Sequence, residues 1–329
     1  GRPVRSVRRE AFEPAGWSST DARFERIFLD DARVADYVVK SVIRDRDWVA
    51  LATDDRVDRE IRIWEAGLLD RLPAPAAHAT LAAARWATGY ALLMPDLSAS
   101  LLSYESDQAP PVDLQRLILD ATATIHATFW MDASLADPRL GLATLGDFVR
   151  HLGPAAAARA RAHIERSEIL DHIEQGWARL PDVVGTDLAT HLRSLADDPR
   201  PVMEAASAYP WTLTHTDVRV ANLAIVDDRR VSFLDWARPA VGPPAIDLVY
   251  WLRTGNQHQA APHEELVAVY EGYLRERLGS AFDDSWWQPQ LELCAASLTV
   301  AFAPFFAVWW PDEFDWWVAF AGSGLQRLL

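Results

Sequence analysis

Apolar residues recur along this chain in two periods, and the change of period divides it. In A-D-Y-V-V-K-S-V-I, strict alternation sets Val38, Lys40 and Val42 on one face, which predicts a β-strand with Lys40 beside two valines. Residues 89–94 form a second strand-like run that ends at Pro95-Asp96-Leu97. Between the two, Ile61, Trp64, Leu68 and Leu69 make a helical stripe. After residue 98 helical spacing takes over. Leu114, Leu117, Ile118, Ala121, Ile125 and Phe129 predict a helix over 112–130, residues 154–180 and 186–196 predict two more, and 262–278 another with Leu266, Val269, Tyr270 and Leu274 inward.

The helical pattern is interrupted once by strands. Residues 211–215 are a short apolar strand, and 222–226 with 231–234 read as a hairpin turning at 227–230. His215, Asp217, Asn222 and Asp235 punctuate this segment, with five residues from Asp217 to Asn222 and thirteen more to Asp235. Asp217 and Asn222 then share one loop, and Asp235 returns beside Asn222 at the end of the hairpin. An amide oxygen next to a carboxylate is hard-oxygen ligation of the kind that holds magnesium on nucleotide phosphates. Asp217, free of metal, is placed to orient an acceptor hydroxyl and take its proton. The competing interpretation makes these residues turn and cap formers, which Asp and Asn favour anyway. It accounts for any one of them and poorly for their joint spacing.

The segment L-T-H-T-D-V-R-V-A-N, followed by F-L-D-W and then Asp247-Leu248, resembles the catalytic and metal-binding loops of aminoglycoside phosphotransferases and kinase-like small-molecule kinases. That family writes the loop H-G-D-x-x-x-x-N. Here Thr216 stands where it favours glycine and Arg219 where many members have histidine. The resemblance implies a bilobal, protein-kinase-like α+β fold. A small antiparallel-sheet lobe over residues 1–94 would bind nucleotide, a hinge would lie at about 94–97, and a larger, mainly helical lobe would fill 98–329.

It also implies an upstream lysine on a strand, held by a helix glutamate. Of the 32 Lys and Arg residues only Lys40 is a lysine, and it lies in the strand just described. A compact ammonium suits phosphate oxygens. Glu60 is the first choice for its partner and Glu65 the second. The phosphate-covering loop falls on A-G-W-S-S-T-D, where Ser18, Ser19 and Thr20 take the place of a Gly-rich loop. Val38 and Met94 would line the base pocket, and the Pro95 carbonyl and Leu97 N–H would read the purine. The I-H-A-T-F-W ending of helix 112–130 resembles the family's L-H-A-x-x-W, which makes His126 a packed, hydrogen-bonded residue near the loop. The implied co-substrates are Mg2+ and ATP or GTP.

Composition narrows the surroundings. The chain has 329 residues, a formal charge of −15 and one cysteine, Cys294. That charge argues against nucleic acid or an anionic membrane as partner, and the lone cysteine excludes an internal disulfide framework and fits a cytoplasmic enzyme. Residues 1–10 are basic without an apolar segment, so no secretory signal is expected. Residues 293–310 are uncharged, but Pro304, Ser297, Thr299 and the acidic flanks favour a buried helix pair over a membrane span. No cluster of histidines at zinc spacing supports a metal hydrolase.

The acceptor is the least determined part. Trp286-Trp287, Trp309-Trp310 and Trp316-Trp317 alternate with Asp283, Asp284, Asp312, Glu313 and Asp315, a pattern that suits either a wall for a cationic acceptor or a helical core with solvated acids. The expectation is a monomer or homodimer that phosphorylates a small molecule, aminoglycoside-like, amino alcohol or sugar. The alternative is a nucleotide-binding pseudokinase or regulatory module without turnover.

Overall fold

Lys40 owes its position to a five-stranded sheet built from the first alternating runs. The computed structural model describes residues 4–13, 22–30, 32–102, 110–227, 229–254 and 261–328. The first elements are β1 (Val7–Phe12), β2 (Arg23–Leu29), β3 (Tyr37–Ile43), α1 (Trp48–Ala52), α2 (Arg59–Glu65), β4 (Ala76–His78), β5 (Ala82–Trp86) and β6 (Gly89–Pro95). Five of the strands form an antiparallel sheet in the order β1-β2-β3-β6-β5. As the alternation predicts, Val38, Lys40 and Val42 are the buried residues of β3. In the β3–β6 register Val38 lies opposite Met94, and Lys40 opposite Leu92, so all four share a face.

The stripe expected to run on to Leu69 breaks early. Helix α2 stops at Glu65, and Gly67 follows with a φ of +69°, a left-handed turn that suits glycine. Ile61 joins Val42, Tyr90 and Leu92 in a small cluster under the sheet, while Ile63, Leu68 and Leu69 enter the main core.

The remainder is mainly helical: α3 (Val112–Thr128), β7 (Ala143–Thr144), α4 (Leu145–Arg150), α5 (Pro154–Arg161), α6 (Glu168–Val184), α7 (Thr186–Asp197), α8 (Arg200–Ala206), β8 (Thr212–Thr214), β9 (Leu223–Val226), β10 (Arg230–Phe233), β11 (Ala240–Gly242), α9 (Ala245–Thr254), α10 (His263–Leu278), α11 (Asp284–Trp309) and α12 (Pro311–Leu328). This is the expected α+β arrangement of a small sheet followed by helices. The predicted hairpin is β9–β10, paired from Leu223↔Phe233 to Val226↔Arg230. β4 runs parallel to β10, so a strand that precedes β6 in sequence supports the hairpin.

Two helix expectations need correction. Residues 154–196 hold three helices rather than two, because the chain turns between α5 and α6 around buried Ile164, where no proline or glycine marks the break. Residues 293–309 belong to one helix, not a pair, and Trp310 follows its end. Pro304 lies inside α11 without ending it, since neighbours on all sides hold the helix where its own ladder lacks an N–H. That helix is long and apolar enough to cross a bilayer, but 89% of its apolar window is buried within the protein.

The proline site shows how closely the helices pack. A Cβ placed on Gly176 of α6 would stand 2.0 Å from the Pro304 carbonyl oxygen. Alanine gains about 1 kcal/mol over glycine in a helix, whereas overpacking against backbone costs about 1–3 kcal/mol or more. The clash wins, and Gly176→Ala is expected to lower the thermal midpoint followed by circular dichroism. An unchanged or higher midpoint would show that α6 and α11 do not meet this closely.

Candidate active site

The loop between β8 and β9 is fixed from below by one buried carboxylate. Asp247, fully buried in α9, accepts from the backbone N–H of His215 (2.8 Å) and of Thr216 (2.6 Å). His126 of α3 contacts the same carboxylate through Nε2 (3.0 Å), and Tyr270 of α10 bonds its Nδ1. His126 is thus packed and hydrogen-bonded at the loop, with no path to a substrate. His215 donates from Nε2 to the Leu234 carbonyl (2.9 Å) and accepts the Asp217 N–H at Nδ1 (3.3 Å), which makes it a brace between the two loops.

Thr216 adopts a φ of +60°, the left-handed region in which a β-branched residue is strained. Its Oγ1 offsets this by donating to the Arg238 carbonyl (2.7 Å), and Arg238 returns a bond from Nη2 to the Thr216 carbonyl (3.0 Å). Threonine at this glycine position is held by side-chain bonds that glycine lacks.

Asp217 stands above this base. Asn222 donates from Nδ2 to its Oδ2 (2.9 Å) and carbonyl (3.0 Å), and Tyr250 donates its hydroxyl to Oδ1 (2.6 Å). Arg219 and Arg238 lie 3.3 and 3.4 Å from the same Oδ1. Burial pushes the carboxyl up, but the two guanidiniums and the Tyr250 hydroxyl outweigh it and hold Asp217 well below the usual carboxylate range.

Lys40 links the sheet to the second loop. Its Nζ donates to both oxygens of Glu60 (3.0 and 2.9 Å) and to Asp235 Oδ1 (2.6 Å). Burial pulls the ammonium down, yet the two carboxylates prevail and hold it above its ordinary value. Tyr90 donates to Glu60 Oε2 (2.6 Å), so the glutamate is held from two sides. Glu65, the second choice, pairs instead with Arg85 (3.1 Å) and Arg62 on the surface. The hairpin ends set Asn222 beside the residue that precedes Asp235, where the Leu234 N–H donates to the Asn222 carbonyl (2.9 Å).

The structure therefore brings Lys40, Glu60, Asp217, Asn222 and Asp235 together. Val38 and Met94 continue the face that carries Lys40, and Pro95 ends β6 opposite Tyr37. Leu97 begins a turn in which its carbonyl accepts from Ser100 and Leu101. Ser18, Ser19 and Thr20 lie outside the described residues. A family model described as the phosphotransferase enzyme family matches residues 18–279.

The chain belongs to this family.

Three solved structures are similar throughout at low identity. The GDP complex of wild-type aminoglycoside 2'-phosphotransferase-IIIa has 13% identity and a TM-score of 0.50, covering 99% of this chain and 92% of that one. The choline kinase LicA from Streptococcus pneumoniae has 12% identity and a TM-score of 0.50, with 99% and 93% covered. The GDP and kanamycin complex of APH(2'')-IIIa has 12% identity and a TM-score of 0.51, again with 99% and 93% covered. At such identities they show a shared kinase-like fold. No curated protein matches the chain by sequence.

Against the family pattern, three contacts escape sequence reasoning. Tyr250 sits three residues after Asp247, on the same side of α9, and helical spacing would have found it. Arg238 has no such signal, because it reaches Asp217 only through the turn after Asp235. It is also bonded at Nη1 to His151 Nε2, and burial with the Arg238 charge pushes that imidazole well down, leaving it neutral.

The tryptophan pairs serve mainly in packing. Neighbouring helical residues point about 100° apart, so Trp286-Trp287 and Trp316-Trp317 each turn one ring inward in edge contact with the other, whereas Trp310 lies beyond α11 with its ring edge-on to Trp309. Trp287 and Trp317 are buried, Trp286 packs on Trp130 and Phe282, and Trp309 stacks on Phe305. Asp283 caps α11 at the Ser285 N–H, and Asp284 pairs with Arg275.

Asp47 is the other buried acid near Lys40. It caps α1 through the N–H groups of Val49 (2.9 Å) and Ala50 (3.2 Å), and burial pushes its carboxyl up to about 6 against the pull of Lys40. A raised folded-state pKa means that its contribution to stability is full below the ordinary value of 3.8 and is lost as pH rises through about 6. The loss amounts to about 3 kcal/mol at most. Asp47→Asn keeps a capping oxygen without the charge. In urea denaturation of the nucleotide-free protein, its stability relative to wild type should grow between pH 4 and pH 7; a difference independent of pH would refute this account.

Proposed function

We propose that the protein transfers the γ-phosphoryl group of ATP or GTP to a hydroxyl of a small molecule, with the nucleotide seated between residues 1–94 and 98–329. The observation that carries this reading is Lys40 Nζ, bonded at once to Glu60 and to Asp235 Oδ1 at 2.6 Å. It sets a phosphate-binding ammonium beside a carboxylate suited to a metal, next to a loop whose aspartate and asparagine share a hydrogen bond.

Asn222 and Asp235 fit magnesium. The amide nitrogen of Asn222 is committed to Asp217, which leaves its oxygen for a cation. Among the described residues no group of three or more His, Cys, Asp or Glu makes an all-protein metal cage. That suits a cation which takes one or two protein ligands and completes its shell with phosphate and water. Magnesium, when bound, would neutralise charge on the phosphates.

The protein's own residues do the rest. Nucleotide phosphates would compete with Asp235 for Lys40 and leave Glu60 to keep the ammonium in place. Val38 and Met94 supply apolar surface for the base, and the 95–97 segment its polar edge. As the bond from γ-phosphorus to the acceptor oxygen forms and the bond to the β-phosphate oxygen breaks, the acceptor's proton passes to Asp217 and the nucleoside diphosphate leaves. Asp217, ionised at neutral pH and a weak base, serves chiefly to orient the hydroxyl and receive the proton late, as a loose transition state allows.

The reading is tested by following nucleoside diphosphate and phosphorylated product over aminoglycosides, macrolides, amino alcohols and sugars, with MgATP and MgGTP in parallel. Asp217→Ala should cut turnover by about 10²–10⁴-fold while nucleotide binding persists. Lys40→Met should weaken nucleotide binding itself. Tight nucleotide binding with no product from any acceptor would favour the pseudokinase alternative.

A further inference from the structure

His151 directly follows α4, is 2% exposed, and has its ring enclosed by aromatic side chains. Trp48 of α1 stacks on it at 6.0 Å between centres, and Phe148 of α4 and Phe302 of α11 lie at 5.5 and 6.5 Å. Strand pairing brings this ring to the active site. β7, which leads into α4, pairs with β11, and β11 begins two residues after Arg238.

The two ring nitrogens have distinct partners. Nδ1 faces the Phe148 carbonyl, which can only accept, so Nδ1 carries the proton. Nε2 is then a bare lone pair, and it receives Nη1 of Arg238, a group that can only donate. Both contacts select the same neutral tautomer. An imidazolium here would set N–H against N–H between two buried cations, a form that burial and the Arg238 charge disfavour.

Arg238 is therefore tied twice, and neither tie is to a carboxylate. Nη1 goes to His151, and Nη2 to the Thr216 carbonyl at 3.0 Å. Asp217 Oδ1 lies 3.4 Å from the same Nη2, an ion pair longer than a good hydrogen bond. Elsewhere in the molecule an arginine closes fully on its acid: Arg44 grips Asp58 through Nε at 2.8 Å and Nη2 at 2.7 Å. The difference matters at a base. Such a grip on Asp217 would pull the carboxylate from the position in which Asn222 holds Oδ2, and would occupy oxygen that an acceptor hydroxyl needs.

We propose that His151 is a positioning residue for phosphoryl transfer, which by accepting from Arg238 keeps that guanidinium beside the Asp217 carboxylate and not clamped on it. This rests on the phosphotransferase reading and adds to it a residue that acts only through Arg238.

The test begins with the unmodified protein. NMR of the imidazole nitrogens should show His151 protonated at Nδ1 and bare at Nε2 at neutral pH; a proton on Nε2 would overturn the proposal. Variants are then compared by release of nucleoside diphosphate, using whichever nucleotide and hydroxyl compound of the acceptor screen turns over fastest, or water where none does. His151→Phe keeps an aromatic ring and removes the acceptor, and should lower kcat about ten- to a hundredfold while the nucleotide Kd stays within about twofold. His151→Gln, which returns an acceptor oxygen, should recover most of that loss. In an Arg238→Met background, His151→Phe should lower kcat no further, as action through Arg238 alone requires. Circular dichroism confirms that each variant folds. Unchanged kcat in His151→Phe, an equal loss in His151→Gln, or full additivity with Arg238→Met would overturn the role of His151 and leave the phosphotransferase reading standing. A wild-type protein that turns over nothing would overturn that reading, and with it any part for His151 in transfer.

Discussion

A buried ammonium cannot stand alone, and much of this structure follows from how that of Lys40 is satisfied. Moving such a charge out of water is costly unless carboxylates and hydrogen bonds surround it. Glu60 from α2 and Asp235 from the end of the β9–β10 hairpin supply both. The three residues come from a sheet, a short helix and a loop separated by up to 195 positions, so one cation ties the N-terminal sheet to the β9–β10 hairpin. Tyr90 adds a bond to Glu60 from the neighbouring strand, which stiffens the arrangement on the sheet side. Removing Glu60, the buried partner, would leave the ammonium short of a carboxylate, a penalty of several kcal/mol.

The second fixed point is Asp247, which holds the other half of the site without touching reacting groups. Two backbone N–H groups and His126 converge on it, and Tyr270 orients His126 in turn. Being fully buried, this chain of bonds has no water to fall back on, so the loop geometry is imposed by the core. That explains why Thr216 can occupy a left-handed position. The strain of about 1–3 kcal/mol typical of such residues is opposed by bonds at its nitrogen, its hydroxyl and its carbonyl.

Period and spacing made the central features legible in the sequence. Alternation in β3 aimed Lys40, the interval from Asp217 to Asn222 defined the loop, and the hairpin returned Asp235. Each depends on local geometry that the chain itself determines. What stayed hidden depends on contacts between distant segments. Arg238 meets Asp217 only because the strand after it pairs back onto β8. The break between α5 and α6 is set by burial of Ile164 rather than by a helix breaker. Pro304 persuades the eye that α11 must end, yet packing on several sides overrides the lost hydrogen bond. The tryptophan pairs misled for a related reason, since a sequence pattern does not say which of two adjacent rings faces the core.

Net charge does not describe the site either. The chain carries 47 acids against 32 basic residues, a balance that bears on large anionic partners and not on the surroundings of one carboxylate. Surface acids, however, act through water and salt that screen them over roughly 8 Å. The charges felt at Asp217 are those held out of solvent beside it, which are the guanidiniums of Arg219 and Arg238 at 3.3 and 3.4 Å, with the Lys40–Glu60–Asp235 cluster nearby. At short range and low dielectric two such guanidiniums outweigh many distant surface acids. They hold the Asp217 carboxylate ionised, so its local field is set by its buried neighbours rather than by the net charge of the whole molecule.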